Sequence, residues 1–347
     1  MREWIGRRPS IFHPSRYWDH LSTEDDKILK RMKVESFKRC LPQHYFNWPI
    51  DYPGNPQFSA LLRYWSSNPS FIPLRTQLRG SARVVLVTDE PNAPLKEWLT
   101  TVDGQRVYTL FVGLLWWHAT RVDPDRAGPR LAEPVIGNPI PIYLDGQLIS
   151  QDLANSLREF RRFQSHLAGA QRATLAELGA GYGRLGYLAT TLSSCRYWAV
   201  DIPPALAVAE WYLSRCFPQR RIFRWRPFTV WDSVADEVAQ ADIAFFTVDQ
   251  LALFPSKSVD VFASISTIHE MTPDQIEAYM TFQFRATSRA IYTKNWTSWI
   301  NHLDDTRFES ASIVAPEGWR IALDAVDDVI PDFTEKLFVA AGPDEAS

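Results

Sequence analysis

Cysteine is scarce. Cys40, Cys195 and Cys216 are the three in 347 residues, far apart and without a C-x-x-C pair. That excludes a disulfide framework and a zinc knuckle, and it suits a reducing compartment. A long apolar run is also missing, since the greasiest stretch, Tyr108 to Ala119, is too short to span a bilayer and contains His118. The first eight residues, MREWIGRR, lack the apolar core of a secretory signal. No excess of positive charge is present: the formal net charge of -3 argues against a nucleic-acid binder. No two of the seven histidines have metal-ligand spacing with a carboxylate, so no metal site is assigned. Internal repeats and low-complexity segments are absent. These absences leave a cytoplasmic globular protein as the expectation, without membrane or nucleic-acid partners, and the length suggests two domains. Tryptophan, by contrast, is plentiful at 14 residues. Such rings either pack a core or form a platform for a flat or sugar-like ligand, and for any single Trp packing is the default reading.

The chain is organised around Leu175 to Gly186, which reads LAELGAGYGRLG. Short apolar residues run into Glu177, glycines fall at 179, 181 and 183, and Leu185, Leu188 and Leu192 then repeat with helical spacing. This predicts a buried strand, a glycine turn and a helix whose first N–H groups face a ligand. The segment from Gly181 to Gly186 matches the G-x-G-x-x-G of dinucleotide enzymes. In that frame the first glycine should follow the strand directly, a place that Gly179 already holds. The whole string is better described as Glu-x-Gly-x-Gly-x-Gly, and it resembles the first motif of class I S-adenosylmethionine-dependent methyltransferases.

Taken in order, residues 1–165 differ in character from 166–347. Ser22 to Asp26 precede Ile28, Leu29 and Met32 and predict a helix start, with the helix ending near Pro42. Residues 43–55 read as a packed aromatic and proline loop, 58–65 as a short helix, and 106–121 as a buried helix. Ile140 to Ile149, with Asp145-Gly146 at its centre, predicts a two-residue hairpin, and 150–160 an amphipathic helix. From about 166 the rhythm is strand, helix, strand, helix, which signals a mainly parallel sheet covered on both faces. Strands are predicted at 174–178, 196–200, 243–248, 258–266 and 290–293. The stretches 318–326 and 335–340 predict an antiparallel edge. The fold class is therefore α/β: a Rossmann-like, seven-stranded sheet with a mostly helical N-terminal domain.

In such sheets ligands lie beyond the carboxyl ends of the strands. Asp201 ends the second strand, where a carboxylate can accept both hydroxyl protons of a ribose. Asp249 and Gln250 follow the third strand, in reach of an adenine edge. His269 and Glu270 follow Ser264 to Ser266 at the end of the fourth. Methyl transfer from a sulfonium to a hydroxyl requires alignment of the oxygen and removal of its proton. Histidine, neutral near pH 7, suits that task, and Glu270 would orient the ring or grip a neighbouring hydroxyl.

Three stretches carry a more specific resemblance: ELGAGYGRLG from Glu177, VDIPPAL from Val200 with Trp211 to Leu213 behind it, and STIHEM from Ser266. With YFNWP from Tyr45 and SQDLANS from Ser150, they make the chain similar to the sugar O-methyltransferase family over about residues 15–300. The resemblance implies the class I fold, S-adenosylmethionine as donor with S-adenosylhomocysteine as product, and a saccharide hydroxyl as acceptor. Thr267-Ile268 stand where the pattern has Ser-Leu, a mild departure. By motif position Glu177, Gly179, Gly181 and Asp201 would bind cofactor, together with Ala180, Tyr182, Gly183, Ile202, Asp249, Gln250 and Ser264. His269 and Glu270 would stand at the reaction centre. Tyr45, Trp48, Asp152, Asn155 and Lys294 are the candidates to approach a small-molecule or saccharide acceptor. Asp152 and Asn155 are three apart, hence on one helix face. A homodimer is left open. The rival readings are a nicotinamide-dependent oxidoreductase and a carbohydrate-binding relative without turnover.

Overall fold

The computed structural model describes residues 1–31, 34–40, 59–63, 83–84, 101–121, 128–169 and 172–341. The chain divides into two compact units. One comprises Asp25–Glu159 with Asp328–Pro331; the other comprises Met1–Glu24, Phe160–Asp327 and Asp332–Ser347. The first 24 residues thus belong with the later unit, a division that composition along the chain does not reveal.

In the Asp25–Glu159 unit the buried helix runs from Val102 to Thr120, and Thr101 caps it by accepting the Gly104 N–H (3.0 Å). Strands β1 (Arg83–Val84), β2 (Ile142–Leu144) and β3 (Gln147–Ile149) form a small antiparallel sheet. Asp145 and Gly146 both take positive φ, as a two-residue hairpin of this twist requires. Residues 59–63 are helical, as expected for part of 58–65. The 43–55 loop, and with it Tyr45 and Trp48, lies outside the described residues.

The helix expected from Ser22 begins earlier, at Arg16, and runs to Arg31. Its start is set partly from afar. Ser15 Oγ accepts the Trp18 N–H (3.3 Å) as a local cap, and Asp304 accepts the backbone N–H groups of Arg16 (2.9 Å) and Tyr17 (3.1 Å), so a carboxylate 288 residues away completes it.

The other unit is built on one sheet. Its strands are β4 (Thr174–Leu178), β5 (Arg196–Asp201), β6 (Ile222–Phe223), β7 (Ile243–Thr247), β8 (Val259–Ile265) and β9 (Thr287–Trp296), with β12 (Trp319–Val326) and β13 (Phe333–Ala340) after the separate hairpin β10 (Ser298–Asn301) and β11 (Thr306–Glu309). The order is β12-β13-β9-β8-β4-β5-β7-β6, eight strands rather than the seven expected. The additional one is the two-residue β6 on the outer edge, too short to show an alternation. β4 to β9 pair in parallel, whereas β13 runs antiparallel between β9 and β12. This is the Rossmann-like class I methyltransferase architecture, with strand order reversing at β4, between β5 and β8.

The central strands read as continuous apolar runs because both faces are covered; all five residues of β4 and of β7 are buried. Trp198, Trp231, Phe246 and Phe254 pack together against one face, with ring centroids 4.9–6.0 Å apart. For Trp198 and Trp231, then, the packing reading holds. Among the described residues no helix is long and apolar enough to cross a membrane, and no group of three metal-ligating side chains occurs.

Candidate active site

The turn after β4 is shaped by backbone demands. Gly179 adopts φ +74°, and a Cβ there would lie 1.9 Å from Thr267 Oγ1, so only glycine lets this turn lie against the segment that follows β8. Gly183 precedes the helix Arg184–Leu192. One turn later, a Cβ at Gly186 would lie 2.3 Å from the Tyr197 ring, which explains the close seating of this helix on β5. Glu177 is buried in β4, and the Tyr197 hydroxyl donates to its carboxylate. Burial first, then the Glu177 charge, pushes the Tyr197 phenol well above its ordinary range. Ala180 and Tyr182 are buried, the latter packed edge-on against Tyr212 at 5.2 Å.

Asp201 closes β5 and turns back to the glycine turn. Its Oδ2 accepts the Gly181 N–H (2.7 Å) and its Oδ1 the Ile202 N–H (2.7 Å), leaving one further lone pair on each oxygen. Burial raises the Asp201 carboxyl to about 7, opposed by those two N–H groups and reinforced by the nearby Glu270 carboxylate. That last influence places Glu270 within electrostatic reach of Asp201. The two motifs, 69 residues apart in the chain, therefore share the carboxyl edge of β5, β4 and β8.

His269 lies in the short helical turn Ile268–Glu270 and is only 1% exposed. The rings of Trp296, Trp299, Phe308 and Phe333 surround it at centroid distances of 5.7–6.5 Å. Asn295 Oδ1 accepts the Ile268 N–H (3.1 Å), which assigns oxygen to that end of the amide. Nδ1 of His269, 3.3 Å from the same oxygen, then carries the ring hydrogen and leaves the lone pair on Nε2. Nε2 stands 3.5 Å from Glu270 Oε1, a distance at which the carboxylate pairs with the ring only when Nε2 is protonated. His269 Nε2, Glu270 Oε2, Asn295 Nδ2 and Trp299 Nε1 are all buried without a hydrogen-bond partner.

Other candidates have internal employment. Gln250 is fully buried; its Oε1 accepts the Thr247 N–H (3.0 Å) and its Nε2 donates to the Arg226 carbonyl (2.9 Å), so each end of the amide has an internal partner. Ser264 donates to Gln283 Oε1 (2.8 Å). Lys294 forms a buried ion pair with Asp327 (2.7 Å). Asp249 accepts from Thr247 Oγ1 (2.7 Å) and Trp4 Nε1 (2.9 Å), and pairs with Arg8 Nε (3.0 Å). In the Asp25–Glu159 unit, Asp152 and Asn155 are both buried on the helix Gln151–Phe163. Asn155 accepts from Arg158 (3.5 Å), and Asp152 lies near Tyr108, whose phenol is raised mainly by burial.

Several residues of this edge escaped the sequence reading: Trp4, Arg8, Ser15 and Tyr17 at the N-terminus, and Trp299 and Phe308 on the β10–β11 hairpin. The hairpin had a signal, since Asn301 to Asp305 is a polar turn between two short apolar-alternating stretches. For the N-terminal residues no local pattern exists.

No family model and no curated protein matches the chain. Among solved structures, a magnesium protoporphyrin IX methyltransferase from Synechocystis with bound S-adenosylmethionine is similar over 55% of this chain and 85% of its own, at 13% identity and a TM-score of 0.33. A 1,6-didemethyltoxoflavin-N1-methyltransferase from Burkholderia thailandensis, bound to S-adenosylhomocysteine, matches over 55% and 79% at 13% identity and TM-score 0.36. An S-adenosylmethionine-dependent methyltransferase from Aquifex aeolicus matches over 52% and 88% at 12% identity and TM-score 0.31. At these values the likeness adds nothing to the strand order, which carries the fold assignment by itself.

Proposed function

We propose that this protein is an S-adenosylmethionine-dependent O-methyltransferase acting on a hydroxyl of a sugar or glycosylated metabolite, with S-adenosylhomocysteine as product. The observation that carries the reading is the convergence, on one sheet edge, of the glycine turn with Asp201 and of a buried imidazole with a free lone pair on Nε2. The turn fits the donor in that each Asp201 oxygen keeps a lone pair for a ribose hydroxyl. The donor supplies an electrophilic methyl group whose transfer leaves a neutral thioether.

What remains for the protein is to place and deprotonate the acceptor oxygen. His269 Nε2 accepts the hydroxyl proton as the oxygen–carbon bond forms, and Glu270 Oε1, 3.5 Å away, stabilises the resulting imidazolium. Asn295 holds the ring in the competent tautomer through Nδ1–H. The aromatic rings around His269 exclude water from this end, which strengthens every charge interaction there. A saccharide acceptor is supported by the family resemblance of the motifs and by unpaired donors, Asn295 Nδ2 and Trp299 Nε1, and an unpaired acceptor, Glu270 Oε2, on three residues that each adjoin the His269 ring.

Calorimetry with S-adenosylhomocysteine and with NAD(H), followed by transfer of labelled methyl from S-adenosylmethionine to a panel of free and nucleotide-linked sugars, tests the reading. Binding of S-adenosylhomocysteine without response to NAD(H), and label on a sugar, is the expected result. Heat from NAD(H) alone would overturn it.

A further inference from the structure

Two residues that meet the Asp249 carboxylate come from the extreme N-terminus, and they begin a continuous series of anchors. Trp4 Nε1 and Arg8 Nε both meet Asp249 Oδ2, and the Arg8 guanidinium lies over the Trp4 ring at 4.7 Å. Next, Gln275 Nε2 donates to the carbonyls of Ile11 (3.2 Å) and His13 (2.7 Å), and Phe12 stacks on Phe282 at 6.2 Å. Ser15 Oγ then donates to the Glu270 carbonyl (3.1 Å). Finally Asp304 fixes the backbone of Arg16 and Tyr17, whose ring meets Trp299 edge-on at 6.3 Å.

The first anchor follows β7 and the third follows β8. In the sheet, β5 and β4, which carry Asp201 and the glycine turn, lie between those two strands. One segment of 17 residues therefore ties the two ends of the edge at which the donor is proposed to lie. Its first and third anchors stand at those two ends. A buried carboxylate receives an indole N–H and a guanidinium at one end, and a backbone carbonyl of the proposed catalytic turn receives a hydroxyl at the other.

We infer that residues 1–17 form a strap that closes the donor site, and that Asp249 is the strap's latch rather than a direct ligand of the adenine. The inference rests on the donor reading above. Asp249 Oδ2 is occupied by Trp4 and Arg8 and Oδ1 accepts from Thr247, so an exocyclic amine would have to share the carboxylate with three protein groups already on it. Trp4 and Arg8 are accordingly positioning residues: they hold the strap, and the strap retains the bound donor.

The test uses the full-length protein and three variants, Trp4→Phe, Arg8→Gln and Asp249→Asn. Trp4→Phe keeps an aromatic ring and removes only the N–H, so it guards against a misfolded variant. Hydrogen exchange of residues 1–17 is measured without cofactor, and the dissociation rate of S-adenosylhomocysteine by stopped flow. All three variants are expected to raise exchange of the segment before any ligand is added and to speed dissociation by roughly tenfold, the scale of one lost hydrogen bond to a charged group. Raised exchange with unchanged dissociation would make the segment a structural brace and overturn the inference. So would faster dissociation in Asp249→Asn alone with exchange of residues 1–17 unchanged, since Asp249 would then bind the ligand directly. A wild-type protein that binds no S-adenosylhomocysteine overturns the donor reading itself, an outcome distinct from normal binding with unaltered dissociation in the variants.

Discussion

Two stretches of one sheet edge differ in how far the protein completes its own hydrogen bonding. Around the glycine turn it is complete: Asp201 takes two backbone N–H groups, Gly179 donates to the Val200 carbonyl, and Tyr197 satisfies Glu177. Around His269, four buried polar atoms on four residues have no partner. Nine in ten or more of buried polar groups are ordinarily paired, so such a cluster marks a place where bonding is finished by something that arrives. The contrast separates a preorganised half, the one proposed to bind the donor, from a half with unpartnered polar atoms, the one proposed to receive the acceptor.

Breaking the second half should have the larger effect on turnover. His269→Ala is expected to lower the methyl-transfer rate by roughly 10²–10⁴ while leaving S-adenosylhomocysteine affinity within a few-fold of wild type. Equal loss of both in rate assays and calorimetry would show that the two halves are not separable. Breaking the first half should do the reverse. Asp201→Ala is expected to weaken S-adenosylhomocysteine by about 100-fold, because the two proposed ribose contacts and the tie to Gly181 would vanish together; calorimetry reads this directly.

A smaller effect tests the preorganisation alone. Gly179→Ala places a Cβ against Thr267 at a positive φ and should cost about 1–3 kcal/mol in denaturant unfolding. Adding Thr267→Ala should recover only some of the steric part, since the Thr267 Cβ that remains lies 2.7 Å from the new Cβ, and none of the conformational part.

The smallest effect is a pH dependence. The folded-state pKa of Asp201 is raised from 3.8 to about 7, mainly by burial. Its protonated form is thus favoured by folding. The corresponding stability is fully present below about pH 4 and is lost as pH rises through about 7. On the proposed donor reading binding has the opposite sign, since an ionised carboxylate would accept both ribose hydroxyls. Affinity for S-adenosylhomocysteine should fall by up to about tenfold per unit below pH 7. Asp201→Asn should flatten that profile, and an unchanged slope would assign the titration to another group.

Much of the preorganised half was legible in the sequence because its causes are local. β4 is bounded as expected, β5 runs through Asp201, and the Asp145-Gly146 hairpin forms where its residues require positive φ. The second half was legible only as a position. His269 falls at the end of β8 as expected, yet the rings that enclose it come from β9, the β10–β11 hairpin and β13, none of which announces a partner 27 to 64 residues earlier. Gln250, Ser264 and Lys294 sit where a ligand contact was expected, but each side chain is satisfied from within by Arg226, Gln283 or Asp327.

By itself, then, the sequence determined what short-range geometry controls. Apolar runs buried on both faces become parallel strands, glycines permit a turn that no side chain could enter, and an acidic or imidazole group is set at a strand end. Only the tertiary structure decided which strands are neighbours, that β13 runs antiparallel between β9 and β12, and that the first 17 residues close on Asp249 and Glu270. Those outcomes depend on contacts between residues up to 288 apart, whose partners are selected by packing and hydrogen-bond completion across the whole unit rather than by any pattern within one segment.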